Sequence, residues 1–353
     1  MDDNDVSAAL AEQVRRAADA KSPLRIKGFD SKAFLGHAAD DQTLDVTPHR
    51  GIVRYEPTDL VMTVRAGTPL AEIEQVLADN GQMLAFEPPQ FGEQGSIGGA
   101  IASGLGGPRR PWGGAPRDLL LGVTVLDGRG RILHFGGEVM KNVAGYDLSR
   151  LMAGAFGTLG VLLEVSLKVL PAPGVERNLV LHLPRDRAVK LMRELARQPA
   201  PLSGACHLED RLYLRLSGNA ASVAAWERQI GGDGGEGGSF WQQLRNHSLR
   251  FFEREHPLWR LSVAPATPRL SCEHETLTDW AGAQRWVRTD LSATELRREV
   301  EKVGGHAILF RHGDQETPVF HPLDKVRERI HRGLKGKFDP VGILNPGRQY
   351  AAL

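Results

Sequence analysis

The fourteen residues 94–107, QGSIGGAIASGLGG, hold six glycines and constrain the fold more than any general property of the chain. Glycine reaches positive φ without strain and lets a backbone come close to a ligand. The stretch is therefore either a flexible loop or a surface built for close approach. Two familiar phosphate loops do not fit it. In a G-x-G-x-x-G register starting at Gly104, Arg109 stands where the third glycine belongs, and no Gly-Lys-Ser/Thr closes a Walker loop. The choice between loop and surface rests on the rest of the chain.

Composition narrows the classes. With 353 residues, the chain is long enough for roughly two domains of ~150 residues. A net charge of +1 implies no general affinity for nucleic acid or acidic membranes. Glycine, at 40 residues, is about 11% against a usual ~7%, and the excess is concentrated rather than periodic. Cys206 and Cys272 stand alone, without a C-x-x-C. They read as core cysteines in a reducing cytosol. The start, MDDNDVSAALAEQ, is acidic and lacks the apolar core of a secretory signal. No run reaches the ~18 apolar residues of a membrane helix.

Along the chain, residues 5–20 read as an amphipathic helix and residues 23–36 as a short strand followed by a loop of small, polar and basic residues. Strand DLVMTVRAG (59–67) leads into a helix with Thr68 as expected N-cap, Pro69 at its first position and Gly81 past its end. LLLGVTVLDGRGRILHFGG (119–137) reads as a hairpin turning at Asp127-Gly128-Arg129-Gly130. A buried strand at 157–171 ends at Pro171 and Pro173, the best domain boundary in the chain. Beyond it, short strands alternate with helices, including one opened by a capping box, Ser292 with Glu295. That pattern predicts an α+β layer, one sheet with helices on one face. GGDGGEGGS (231–239) reads as a linker, and 336–350 as a turn-rich tail that packs back on the body. Around and after the linker lie Trp226, Phe240, Trp241, Phe251, Phe252 and Trp259, either core of this layer or an interface with a partner.

Three segments of the first half share one composition: KGFDSK (27–32), residues 94–114, and KNVAGYDLSRLMAGAFGTLG (141–160). Each sets glycines and small residues beside a strand. Together they can line a groove with backbone N–H groups, which bind phosphate oxygens, while small side chains admit a flat ring system. In order, the blocks 27–32, Ala66–Leu70, Pro88–Gly99, Gly114–Asp118, Lys141–Leu148 and Gly157–Gly160 resemble the FAD-binding domain of the vanillyl-alcohol oxidase type, also called PCMH-type. The match covers roughly residues 5–172. GPRRPWGG (107–114) and EVMKNVAGYDLSRLM (138–152) most resemble the FAD-binding subunit family of bacterial glycolate oxidases.

The resemblance implies a fold and a site. The fold is α+β: a two-part PCMH-type domain over 1–172, a reduced α+β cap over 173–330, and a segment, 331–353, returning to the first domain. FAD is the implied cofactor. Lys27, Gly28, Phe29, Asp30, Ser31 and Lys32 would cradle its pyrophosphate. Pro88, Ser96, Ile97, Gly98, Gly99, Ser103 and Gly107 would pass along it, with Asn142, Gly145, Tyr146, Asp147 and Gly157 by the flavin wall. Asn345 would close over the ring. Covalent relatives use a His in the phosphate loop or a Cys in the second glycine region; 27–36 hold no His and 88–107 no Cys, so the flavin is expected to be non-covalent.

The resemblance also implies a larger FAD-containing subunit and an iron–sulfur subunit as partners, and a small 2-hydroxy acid as substrate. The place is the cytoplasm, with the inner membrane reached only through partners. The larger hydroxy-acid dehydrogenases carry H-x-G-D-G-N-x-H and a later G-E-H-G at a metal site. FRHGDQETPVFHP (310–322) keeps His312, Gly313 and Asp314 but has Gln315 and Glu316 in place of Gly-Asn, and no G-E-H-G follows. No metal is expected. His306, Arg311 and His312 are the candidates for acid–base work and for holding a carboxylate. Three functions stay open: a glycolate oxidase subunit that turns over with partners, a free-standing 2-hydroxy-acid dehydrogenase, and a flavin-free structural subunit.

Overall fold

The computed structural model describes residues 4–37, 42–137, 147–234, 237–253, 255–314 and 316–351. The chain forms two compact units. Met1–Gly106, Gly114–Ala172 and Pro322–Leu353 make the first; Gly107–Gly113 and Pro173–His321 make the second. The chain leaves the first unit beside the Pro171/Pro173 pair. It re-enters at Pro322 rather than at 331, and the short segment Gly107–Gly113 packs in the second unit.

The strands of the first unit are β1 (Leu24–Lys27), β2 (Gln42–Asp45), β3 (Ile52–Glu56), β4 (Val61–Arg65), β5 (Gln82–Met83), β6 (Leu120–Leu126), β7 (Ile132–Gly136), β8 (Val161–Lys168) and β9 (Leu170–Pro171). A five-stranded antiparallel sheet runs β3-β4-β8-β6-β7; β1 pairs with β2 and β5 with β9. The run VLLEVSLK of β8 is buried nearly throughout because both faces of the sheet are covered. Val165 and Leu167 join Leu70, Ile73 and Leu77 of the helix Leu70–Asp79 and Ile97 and Ile101 of the helix Ile97–Ser103. Val161 and Leu163 join Leu10 and Val14 of the helix Ser7–Ala20, with Ile343 and Leu344 of the tail. Each such side chain contributes roughly 1.5–3 kcal/mol by leaving water.

The hairpin of β6 and β7 forms as expected. Its turn is held by buried Asp127, which accepts from the backbone N–H groups of Arg129 and Arg131 and from the Arg131 guanidinium. Thr68 departs from its expected role. Its hydroxyl donates to Arg65 and accepts from the Gly51 N–H, pinning β4 to the segment before β3, and Pro69 takes the N-cap position.

The second unit is one eight-stranded antiparallel sheet. Its strands are β10 (Val175–His182), β11 (Leu202–Leu208), β12 (Arg211–Gly218), β13 (Asp233–Gly234), β14 (Leu258–Ser262), β15 (Glu275–Asp279), β16 (Gln284–Arg288) and β17 (His306–Arg311). Their order is β13-β10-β12-β11-β15-β16-β14-β17. The order reads alike from either edge, so the sheet is two β-x-β-β-α-β halves joined between β11 and β15. In the first half x is the helix Arg185–Ala196, and Ala220–Ile230 makes the second crossover. The second half keeps only the helix Ala293–Glu301; the loop 263–274 stands where its first helix would be.

Leu212, Leu214 and Leu216 of β12 pack with Ala188, Met192 and Leu195 of the helix Arg185–Ala196. The alternate residues Tyr213 and Arg215 face the other way, where Phe240 stacks on Tyr213 at 3.8 Å and Trp241 lies under Arg215 at 5.0 Å. The helix Gly237–Asn246 thus covers part of the second face, beyond the one-sided layer expected. Phe240, Trp241, Phe251, Phe252 and Trp259 are each 7% exposed or less, and Trp226 is half-buried, so these aromatics are core rather than a partner surface. The glycine linker also does more than connect: Asp233 and Gly234 pair with Val180 and Leu179 as the edge strand β13.

Candidate functional site

The glycine stretch of 94–107 resolves into a short helix with two kinds of glycine. Ser96 caps the helix Ile97–Ser103 by accepting from the Gly99 N–H at 3.1 Å. Gly98 is a packing glycine. Its N–H bonds the Ala66 carbonyl at 2.8 Å, and a Cβ there would lie 2.7 Å from that carbonyl oxygen and from the Ala66 Cβ. Gly99 is an opening glycine, since a Cβ there would meet only the Ser96 Oγ, at 3.3 Å. Gly28 faces the same hydroxyl, with 3.0 Å left for a Cβ.

These glycines floor a groove enclosing about 1090 Å³ of non-protein space, solvent at its mouth included. The segment 28–33 forms one wall and Ser96, Gly98, Gly99, Ala102 and Ser103 another. Three cations reach it, Arg25, Lys32 and Arg348, against one acid, Asp30. Arg25 pairs with Asp30 at 2.6 Å, and Lys27 stands 3.8 Å from the same carboxylate. The rest of the lining is mostly apolar, including Val46, Met152, Ala155, Phe156 and Leu162. Bare backbone with cations suits a pyrophosphate, and the apolar wall suits flat rings. The donor set therefore fits a dinucleotide of the FAD kind.

The tail builds the groove. Asn345 Oδ1 accepts from the Ile26 N–H at 2.7 Å, and its Nδ2 donates to the Phe156 carbonyl at 2.7 Å, so it ties β1 to the turn at Gly157. Its φ of 42° lies in the left-handed region, which asparagine tolerates better than most residues. Arg348 donates to the carbonyls of Lys32, Ala33 and His37, fixing the loop. Burial and the neighbouring Arg25 push its pKa down. Lys335 is buried beneath, bonded to Asp339 at 2.8 Å and to the carbonyls of Thr158 and Leu344.

Of the residues expected to bind cofactor, Gly28, Phe29, Asp30, Ser31, Lys32, Ser96, Gly98, Gly99, Ser103, Gly157 and Asn345 line this groove. Lys27 ends β1 beside Asp30, Pro88 is buried outside the lining, and Ile97 points into the core. Asp147 is spent on Ser149 and Arg150. Gly107 sits in the second unit, where its carbonyl accepts from Trp280 Nε1 at 3.1 Å. Asn142, Gly145 and Tyr146 lie outside the described residues. Sequence reasoning missed Arg25, Met152, Phe156 and Arg348. The one signal for Arg348 was its place just after Asn345 in the tail.

His306, Arg311 and His312 belong to the second unit and do not line the groove. His306 and Arg311 are the two ends of β17, and His312 follows at φ 57°. His306 is exposed, its ring 6.2 Å from that of His321, which pairs with Glu301 at 3.1 Å. Burial, then Arg288 and Arg311, lower the His312 pKa. Asp314 accepts from the N–H groups of Glu316 and Thr317, which makes its motif a turn.

Comparison with known proteins gives the family. Residues 6–136 match the family model described as FAD binding domain. The chain is 48% identical to glycolate oxidase subunit GlcE of Escherichia coli over 99% of both chains. It is 34% identical to glycolate oxidase subunit GlcD of Bacillus subtilis, over 36% of this chain and 27% of that protein. Among solved structures, alkyldihydroxyacetonephosphate synthase superposes with a TM-score of 0.66 at 12% identity, covering 96% of this chain and 74% of that one, a likeness of fold alone.

Proposed function

We propose a function on the premise that the chain belongs to the family of glycolate oxidase subunit GlcE and is an FAD-dependent oxidoreductase subunit. It holds one FAD, non-covalently, in the groove of the first unit. When bound, FAD supplies the two-electron acceptor for oxidation of a 2-hydroxy acid. Gly28 and Gly99 leave the floor bare for close approach, while Arg25, Lys32 and Arg348 offset the charge of the pyrophosphate. Asn345 and Arg348 hold the walls at a fixed spacing. The observation that carries this reading is the floor itself: two glycines facing one serine hydroxyl, among three cations and an apolar wall. Non-covalent binding is supported by the lining, which among the described residues includes no His, Cys or Tyr.

The substrate proposed is glycolate, with D-lactate as a second candidate, oxidised to the 2-oxo acid. The chain works with a larger FAD-containing subunit and an iron–sulfur subunit. No helix among the described residues is long and apolar enough to cross a membrane, so membrane contact is assigned to the partners. His306, Arg311 and His312 are the side chains proposed to meet the substrate's carboxylate and hydroxyl.

The test is the visible spectrum of the purified chain, followed by glycolate or D-lactate without oxygen. A flavin released intact by acid or denaturant is expected, as is a spectrum that stays oxidised until partners are added. Bleaching by glycolate alone would make the chain a self-sufficient dehydrogenase. No flavin after incubation with FAD would overturn the groove assignment.

A further inference from the structure

The second unit contains a cavity that the flavin chemistry does not use. It encloses about 450 Å³, solvent at its mouth included, between the helix Arg185–Ala196 and the loop 263–274. This is the place where the second half of the sheet lacks its first helix. A missing helix in a repeat ordinarily leaves an apolar gap to be filled. Here five of the ten lining residues are cations: Arg185, Lys190 and Arg193 from the helix, Arg269 from the loop and Arg285 from β16.

The charges are unevenly compensated. Glu273, 1% exposed, bonds both Arg185 and Arg285. Arg285, also 1% exposed, donates as well to the carbonyls of Thr267, Pro268 and Gly282. Those two are built into the floor. Among the described residues Arg269 donates only to the backbone carbonyl of Glu273, at 2.8 and 3.1 Å, and Arg193 makes no ion pair. Lys190 is 3.9 Å from Glu194 on the surface, a pair of small worth in water. Asp186 is the sole acid of the lining. Crowding shows in Arg185, whose pKa is lowered first by burial and, among the charges, by Arg285 and Arg269.

We propose that this cavity is a binding site for a small organic polyanion, a di- or tricarboxylate or a phosphate ester, gripped by Arg193 and Arg269 with Arg185 and Lys190 around it. Guanidinium forks match carboxylate and phosphate oxygens, and each charge-assisted bond is stronger than a neutral one. The volume suits a ligand of metabolite size. The rigid floor of Glu273 and Arg285 holds Arg185 in place before the ligand arrives, which reduces the entropy lost on binding.

The test is calorimetric titration of the purified full chain with citrate and, separately, with inorganic phosphate. Sodium chloride at equal ionic strength is the blank. Saturable one-to-one binding is expected, weakened about tenfold or more by Arg193→Gln/Arg269→Gln, which removes two charge-assisted contacts. The stronger of the two probes tells carboxylate from phosphate. Arg193→Gln alone disturbs no bonded side-chain partner among the described residues and keeps the test open if the double variant does not fold. Arg187→Gln/Arg197→Gln removes the same charge from the helix and its C-cap residue, outside the cavity, and is expected to bind as the parent does. Heat no greater than the chloride blank, or equal loss in both double variants, would overturn the site.

Discussion

The groove of the first unit and the cavity of the second are both cationic, and they are made in opposite ways. The groove is shaped by missing side chains: Gly28 and Gly99 leave space, and Gly98 lets the helix Ile97–Ser103 lie against Ala66. Its cations are held by different groups: Arg348 by backbone carbonyls, Arg25 by Asp30, and Lys32 by the Ser31 hydroxyl. The cavity is shaped by side chains that are present, with one buried carboxylate, Glu273, bonded to two arginines. A surface made of backbone tolerates no added atoms. A surface made of paired charges tolerates no lost partner.

The largest effect expected from that contrast is at Glu273. Glu273→Gln keeps the shape but leaves Arg185 and Arg285 without a carboxylate. Breaking a buried pair in this way costs about 3–5 kcal/mol. Urea denaturation should show that loss, and exchange of backbone hydrogens should place it in β15, β16 and the loop 263–274. A loss below about 1 kcal/mol, the scale of an exposed pair, would mean the floor is solvated and not rigid.

Next come the two glycines of one helix. Gly98→Val drives a side chain into Ala66 and is expected to cost about 3 kcal/mol, at the upper end of overpacking. Gly99→Leu meets only the Ser96 hydroxyl and points into the groove. It should leave the melting temperature of the flavin-free chain unchanged while abolishing flavin binding. Stoichiometric flavin in Gly99→Leu would break the assignment of the groove, whatever Gly98→Val does.

The same contrast explains how much was readable in advance. The groove was legible because its determinants are local: Ser96, Gly98 and Gly99 are neighbours in sequence, and a backbone floor leaves a spacing of glycines behind. The hairpin turn at Asp127 was legible for the same reason. Thr68 was misread because an N-cap and a strand-pinning hydroxyl use the same residue in the same place, and only β3 distinguishes them. Arg348 was missed because its partners, the carbonyls of Lys32, Ala33 and His37, lie at the other end of the chain. The cavity left no trace in the sequence, since its arginines come from a helix, a loop and a strand. The paired order of the eight-stranded sheet was hidden too, because the second half replaces a helix by the loop 263–274.

Asn345→Ala probes a long-range staple of the groove and should cost about 2 kcal/mol. The Ile26 N–H and Phe156 carbonyl lose their partner, and the left-handed φ becomes less favourable. The expected reading is weaker FAD affinity together with a lower melting temperature. Asn345→Asp restores the acceptor for Ile26 but not the donor to Phe156, so it should fall between parent and alanine. If affinity falls with no change in melting, Asn345 touches the cofactor rather than holding the walls.

The smallest effect concerns acid. His247 is packed at 4.0 Å on Phe252 in the second unit. Burial, with Arg311 and Arg260 nearby, pushes its pKa well below the ordinary value of 6.5. The folded chain therefore binds this proton more weakly than the unfolded chain. Its contribution to stability is complete above pH ~6.5 and is lost as pH falls from there toward the folded pKa, at up to ~1.4 kcal/mol per pH unit. His247→Phe keeps an aromatic ring in the stack and removes the proton. Between pH 6.5 and 5.5 the parent should lose about 1 kcal/mol relative to the variant. His207 of the same unit and His49 of the first are also lowered, chiefly by burial, so the variant should flatten the acid limb without abolishing it. Parallel acid limbs for parent and variant would mean that His247 is protonated alike in both states. The arginines around it would then have to be compensated by carboxylates, as Arg185 and Arg285 are by Glu273.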